Sequence, residues 1–211
     1  MFLMAKIHPQ SKLLSSSFSS GFLTSKQETF TIWMKSLVLN GKGCTVFDSE
    51  GQILYRVDNY NCKCRDVYLM DSKGEVLCTI VKKKRLKIFR FWEGYGSTST
   101  KGNKKKVGFF QVRKQFKISR GCSSCEVIVG GLEENDSFHY SIESCTTRNS
   151  ACKCKIIDKL GRRPIAEVKR KVSKGGELFG EDVLTMVVEP FVDHCLIMGL
   201  FVVYSLINSK M

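Results

Sequence analysis

The 211-residue chain carries 34 Lys and Arg against 20 Asp and Glu, a net charge of +14, and 43% of its residues are hydrophobic. That composition allows one sizeable core in a single large all-β or mixed domain, and positive charge spread along the chain speaks for an anionic partner: nucleic acid, a membrane surface or an acidic protein. Met1 to Ala5 is a brief apolar patch followed by Lys6, His8 and Pro9, which does not read as a signal peptide, so the protein is not expected to be secreted and the 10 cysteines are expected as reduced thiols in a cytoplasmic or nuclear protein.

Residues 1–27 contain no acid and seven serines and read as a disordered N-terminal tail, which leaves 28–211 as a single domain. A first strand is expected in Phe30-Thr-Ile-Trp-Met-Lys-Ser36, where apolar and polar residues alternate. One unit then recurs three times: Val46 to Val57 around Asp48-x-x-Gly51, Leu69 to Ile80 around Asp71-x-x-Gly74, and Ile156 to Val168 around Asp158-x-x-Gly161. Each predicts a tight hairpin, with Asp capping its own turn and Gly supplying the positive φ that closes it. Further short strands are expected at 66–70, 86–92, 107–112, 115–118, 126–129, 138–143, 152–157 and 183–188, ten to twelve in all. Gly94 to Lys106 reads as a flexible basic loop, and Gly130 to Ser137 as an acidic one.

The longest apolar run closes the chain. From 193 to 208 the sequence predicts a helix, with Asp193 at its N-cap and Asn208 at its C-terminal end. Leu196, Ile197, Met198, Leu200, Phe201, Val203 and Tyr204, with their neighbours, leave it no polar face, so protein or lipid must surround it. Thirteen residues from Cys195 to Ile207 fall short of the roughly 20 that span a bilayer, which favours a core helix over a tail anchor. So many strands have edges to hide, and a sheet closed into a barrel around the helix hides them while wrapping the helix.

Basic residues gather in three places. Lys82, Lys83, Lys84 and Arg85, followed by Lys87, are placed at a hairpin tip between strands ending near Val81 and starting near Leu86. Lys104, Lys105 and Lys106 form the second cluster, and Lys169, Arg170 and Lys171 with Lys174 the third. Gathered at one rim they would suit an anionic lipid surface, each contributing roughly 1 kcal/mol there. Lys82 to Arg85 also has the composition of a nuclear import signal, although an ordered strand presents one poorly. Cys62-x-Cys64, Cys122-x-x-Cys125 and Cys152-x-Cys154 raise zinc, but their spacing departs from known sites, and C-x-C on one strand face suits small core residues. No metal site is expected. His8, His139 and His194 fall apart from any nucleophile or paired carboxylates, and no phosphate-cradling glycine loop is visible, so no catalytic residue and no cofactor are assigned. His194 is expected to cap the helix or bond the barrel rim.

Trp33-Met-Lys-Ser36, Tyr55-Arg-Val-Asp-Asn-Tyr60, Val67-Tyr-Leu-Met-Asp71, Trp92-Glu-Gly-Tyr95, Ala166-Glu-Val-Lys169 and Val192-Asp-His-Cys-Leu-Ile-Met-Gly-Leu200 with Tyr204 together resemble the plant LURP-one-related family. The resemblance implies a tubby C-terminal-like and phospholipid-scramblase-like fold, mainly β (α+β): a barrel of about twelve antiparallel strands enclosing a hydrophobic C-terminal helix. It ties the family to plant defence against an oomycete pathogen, without a defined biochemical activity. By way of tubby-like domains it implies phosphoinositide binding and movement between membrane and nucleus. The expectation is a non-enzymatic, monomeric, cytoplasmic module, peripheral to a membrane, that binds anionic phospholipid headgroups through basic loops. The alternative is a nuclear regulatory protein that binds DNA or a transcriptional partner.

Overall fold

The computed structural model describes residues 22–37, 42–59, 66–85, 89–100, 103–115, 124–130, 137–145 and 152–208. Twelve strands form a closed antiparallel barrel: β1 (Glu28–Trp33), β2 (Lys42–Phe47), β3 (Ile53–Asn59), β4 (Asp66–Asp71), β5 (Val76–Arg85), β6 (Phe89–Thr100), β7 (Asn103–Gln115), β8 (Ser124–Val129), β9 (Phe138–Ser144), β10 (Cys152–Asp158), β11 (Arg163–Arg170) and β12 (Val183–Val188). Every strand pairs with its neighbours in sequence, and β1 closes the ring against β12, Glu28 opposite Val188. Twelve strands spaced about 4.8 Å apart make a ring on the order of 20 Å across, room for one helix and its side chains. That helix is α1 (His194–Ile207), buried from His194 through Ser205. Asp193 caps it as expected, its carboxylate accepting the Leu196 N–H at 2.9 Å, and the Asn208 side-chain amide donates to the Tyr204 carbonyl at 2.8 Å.

The sequence periodicity carries through to the wall. In β8 Cys125, Val127 and Val129 face inward and are buried, while Glu126 and Ile128 face outward. Two of the three Asp-x-x-Gly hairpins close as predicted: Asp48 accepts from the backbone of Glu50 and Gln52, Asp71 from Lys73 and Glu75, and Gly51 and Gly74 take φ of 83° and 86°. The third differs. Asp158 still caps the turn through the Leu160 N–H, but the residue with positive φ is Arg162. Gly161 sits close to that aspartate, and a Cβ there would lie 3.0 Å from an Asp158 carboxylate oxygen, a tight contact.

Several expectations are corrected. The stretch read as a flexible loop from Gly94 to Lys106 is strand on both sides, β6 running to Thr100 and β7 starting at Asn103, with Thr98 opposite Lys105. Its glycines mark a packing contact: Gly94 pairs with Phe110, whose ring covers it so closely that a Cβ would come within 2.4 Å. Lys82 to Arg85 belong to β5, paired with β6 from Trp92 to Phe89, so they are strand residues and not a tip. The proposed strand stretches 86–88 and 116–118, and most of the acidic 130–137 loop, lie outside the described residues.

The end of the expected tail is also ordered. Phe22 packs edge-on against His194 at 5.6 Å, and the Phe191 N–H donates to the Thr24 carbonyl at 2.8 Å. Nor are all thiols reduced. Cys145 and Cys152 form a disulfide across β9 and β10, whose pairing brings their Cα atoms to 5.7 Å. The β10–β11 pairing carries a register shift between Cys152 and Cys154, and Cys154 is buried in the core. Cys44, Cys78, Cys125 and Cys195 are buried thiols, and Cys154 is buried with them; burial pushes the Cys78 thiol up to about 12 and the Cys125 thiol up to about 11, so these two remain protonated core residues.

Candidate functional site

Antiparallel order fixes which segments share an end of the barrel. One end holds the start of α1 and the β2–β3, β4–β5 and β10–β11 turns. The other holds the end of α1, the C-terminal ends of β1, β3, β5, β7, β9 and β11, and the connections that follow them. At the first end His194 is sealed in. Its Nδ1 lies 2.7 Å from the Tyr55 hydroxyl, and the rings of Phe22, Phe30 and Tyr55 surround it. Burial lowers its pKa to about 4, whereas burial raises that of Asp193 to about 6 against the opposing hydrogen bonds from the Leu196 and Cys195 amides. This is a neutral, structural histidine at the base of the helix. Among the described residues no group of three or more His, Cys, Asp or Glu side chains could hold a metal ion.

The second end is basic. Strands there are joined by segments whose sequences contain Lys35, Lys63, Arg65, Lys87, Lys117, Arg120, Arg148, Lys171 and Lys174, against Glu177, Glu181 and Asp182. The connections at the opposite end contribute Asp48, Glu50, Glu75, Glu133, Glu134 and Asp136 against Lys73, Lys101, Lys159 and Arg162.

Two of the three predicted clusters come out at the basic end. Lys82 lies across from Trp92, with its ammonium 5.3 Å from the indole centroid, and the Lys83 ammonium sits 5.9 Å from the Tyr95 ring centroid, so each cation rests over an aromatic ring, Lys83 exposed and Lys82 half-buried. The side chains of Lys84 and Arg85, and Lys87 altogether, lie outside the described residues. Lys169 is held by Glu167 at 2.8 Å, Arg170 donates to the Phe179 carbonyl at 2.7 Å, and Lys171 donates to the Thr31 hydroxyl at 2.7 Å. Lys174 is exposed. Strands β5 and β11 are six positions apart by either route round the ring, so these two clusters face one another across the mouth. The third cluster, 104–106, starts β7 at the opposite end; its side chains lie outside the described residues.

On the β10, β12 and β1 side of the mouth lies a recess of about 310 Å³ that sequence reading missed. Phe201, Tyr204 and Ser205 of α1, Leu184 of β12 and Met34 line it, with Lys153, Glu181 and Asp182 as its charged members. The Tyr204 hydroxyl donates to the Lys153 carbonyl at 3.3 Å, and that carbonyl also accepts the Cys145 N–H, so helix, disulfide hairpin and recess share one anchor. Asp182 receives the Trp33 indole N–H at 3.3 Å and faces Lys35 at 3.5 Å. The recess joins residues more than 150 positions apart, and no local pattern announces it.

Comparison with known proteins agrees with this architecture. The family model described as LURP-one-related matches residues 28–205. Protein LURP-one-related 11 of Arabidopsis thaliana is 46% identical over 97% of this chain and 89% of its own length; protein LURP-one-related 3 of the same plant is 47% identical over 90% and 84%. An X-ray structure of an Arabidopsis thaliana protein superposes with a TM-score of 0.58 over 89% of this chain and 94% of that one; at 16% identity it speaks for the fold alone. No helix among the described residues is long and apolar enough to cross a membrane. A twelve-stranded barrel around an apolar helix, a family model over nearly the whole domain and relatives close to half identical lead to one conclusion: the chain belongs to the LURP-one-related family.

Proposed function

We propose that the protein is a non-enzymatic, monomeric docking module whose basic end lies against an anionic phospholipid surface, phosphoinositide-bearing membrane included, in a plant defence or signalling setting on the cytoplasmic side. The observation that carries this reading is the concentration of positive charge at one end of the barrel: Lys82 to Arg85 and Lys169 to Lys174 emerge there with basic connecting segments, while the other end mixes acidic turns with Lys101, Lys104 to Lys106, Lys159 and Arg162. Such a concentration orients a protein in the field of an anionic surface, and each lysine near it contributes roughly 1 kcal/mol. Catalytic groups are not part of the reading; among the described residues the mouth gathers no nucleophile with a base. For a nuclear role, Lys82 to Arg85 would have to serve as an import signal, and their pairing with β6 counts against presentation to a receptor.

Liposome flotation with phosphoinositide-containing and neutral vesicles tests the proposal. Binding to the anionic vesicles that weakens as salt rises is expected, with loss on joint replacement of Lys82, Lys83, Lys169 and Lys171 by Ser. Charge-blind binding, or none, overturns it.

A further inference from the structure

Beyond the rim, β11 does not turn directly into β12. The chain from Lys171 to Asp182 folds into a small hairpin: Val172 bridges Leu178, the Ser173 N–H donates to Glu177 at 2.8 Å, and a turn closed by the Gly176 N–H on Ser173 places Gly176 at φ 85°. The Phe179 N–H donates back to Lys171 at 2.9 Å, and the Lys171 N–H to Val183. The backbone is thus well tied, but the side chains have no core beneath them. Val172 is 47% exposed, Leu178 50% and Phe179 42%.

Beside this hairpin, β1 ends in Trp33, paired with Val183, and leads to Leu37; these are 36% and 48% exposed. Five of the nine large exposed apolar side chains among the described residues therefore share the basic end, and three of them sit on one hairpin. The other four lie apart at the opposite end, Ile53 and Val76 at the starts of β3 and β5, Leu160 in the β10–β11 turn and Phe191 between β12 and α1. Single exposed apolar residues are ordinary; a group on a protruding, glycine-tipped hairpin is not. Lys35, Lys169, Lys171 and Lys174 flank the group and outnumber the two acids beside them, Glu177 and Glu181, while Asp182 is occupied by Lys35 and the Trp33 indole N–H. Apolar tips set among lysines match the interface of an anionic bilayer, where acyl chains take the tips and phosphates the ammonium groups.

We infer that the 171–182 hairpin, with Trp33 beside it, is a membrane-inserting wedge that sinks its apolar tips below the headgroups of an anionic bilayer. This rests on the anionic-surface reading above and adds depth of insertion to it. Charge alone would hold the protein outside the headgroups; the wedge places Leu178, Phe179 and the Trp33 indole among the upper acyl chains.

The test uses the full chain and vesicles of phosphatidylcholine with or without phosphatidylserine, some carrying brominated acyl chains. The protein has two tryptophans, and Trp92 is buried, so quenching by bromine reports Trp33. Expected are salt-sensitive binding to the anionic vesicles, quenched Trp33 emission, and a roughly twentyfold weaker partition for the doubly substituted Leu178→Ser, Phe179→Ser protein, with its salt dependence kept. Both side chains are half exposed, so the variant should fold, and an unchanged circular dichroism spectrum checks this. A wild-type protein that binds the anionic vesicles without quenching, or a double variant that binds as tightly as wild type, overturns the wedge and leaves the charge reading standing. Failure of the wild type to prefer anionic vesicles removes both.

Discussion

Phe110 offers a sharp test of how helix and wall fit together. Its ring is held between two glycines, Gly94 on the neighbouring strand and Gly199 on the helix. A Cβ at Gly94 would lie 2.4 Å from two ring carbons and 2.8 Å from a third, a contact that requires the ring to move; a Cβ at Gly199 would lie 3.0 Å and 3.3 Å away. The ring cannot yield toward the helix, because Gly199 is already there. Gly94→Ala should therefore cost about 2 kcal/mol: up to about 3 for overpacking a closed core, less several tenths recovered from a stiffer unfolded chain. Gly199→Ala meets the same ring at greater distance and gains about 1 kcal/mol of helix propensity, so it should be close to neutral.

Shortening the ring by Phe110→Leu removes the atoms that Gly94→Ala strikes. In that background the Gly94 substitution should be neutral or slightly stabilising, a coupling of about 2 kcal/mol between the two positions. Urea unfolding followed by tryptophan emission gives the four free energies of the cycle. Strict additivity, or an equal cost at Gly94 and Gly199, would refute the account of a ring clamped between wall and helix.

Two further outcomes follow from the helix. Leu200→Asp places an uncompensated carboxylate in a side-chain position without solvent contact, at a cost of several kcal/mol that should leave the protein insoluble; a soluble variant with native circular dichroism would show that α1 is not core. The pH dependence of stability should change with His194→Gln. His194 falls from 6.5 to about 4 on burial, so its contribution is fully present above pH 6.5 and is lost as pH falls toward 4; Asp193, raised from 3.8 to about 6, loses its contribution as pH rises over nearly the same window. In the wild type the two slopes oppose. The variant keeps only the Asp193 slope, so its stability relative to wild type should improve by about 3 kcal/mol as pH drops from 7 to 4. Parallel urea midpoints at pH 4, 5, 6 and 7 would contradict the assignment of His194 as buried and neutral.

What could be read from residues alone was whatever is encoded locally. The apolar run with Asp193 before it needs no partner to be recognised as an enclosed helix, and the Asp48 and Asp71 turns are closed by atoms within five positions. Where the reading failed, the deciding atoms are distant in sequence. Gly94 and Gly96 suggest a loop until Phe110 is seen across from Gly94. Cys145 and Cys152 become partners only because β9 and β10 pair. The basic clusters were visible as composition, but strand direction decides that Lys82 and Lys169 share an end while 104–106 starts at the other. The recess beside Tyr204 depends on β1, β10, β12 and α1 at once, and nothing short of the closed barrel brings them together.

The closure of β1 on β12 has a consequence for the protein's birth. Glu28 must wait for Val188, about 160 residues later, and the helix that fills the ring follows both. At typical synthesis speeds of about 5–20 residues per second, the early strands spend roughly ten to thirty seconds without their final partner or their core. Local hairpins such as β2–β3 and β4–β5 can form in that interval, but the inner faces of all twelve strands stay open to water and to chaperones. A message truncated shortly before codon 194 would yield twelve complete strands and no folded protein, and quality control would see an apolar lining where the full-length chain hides its last fourteen-residue helix.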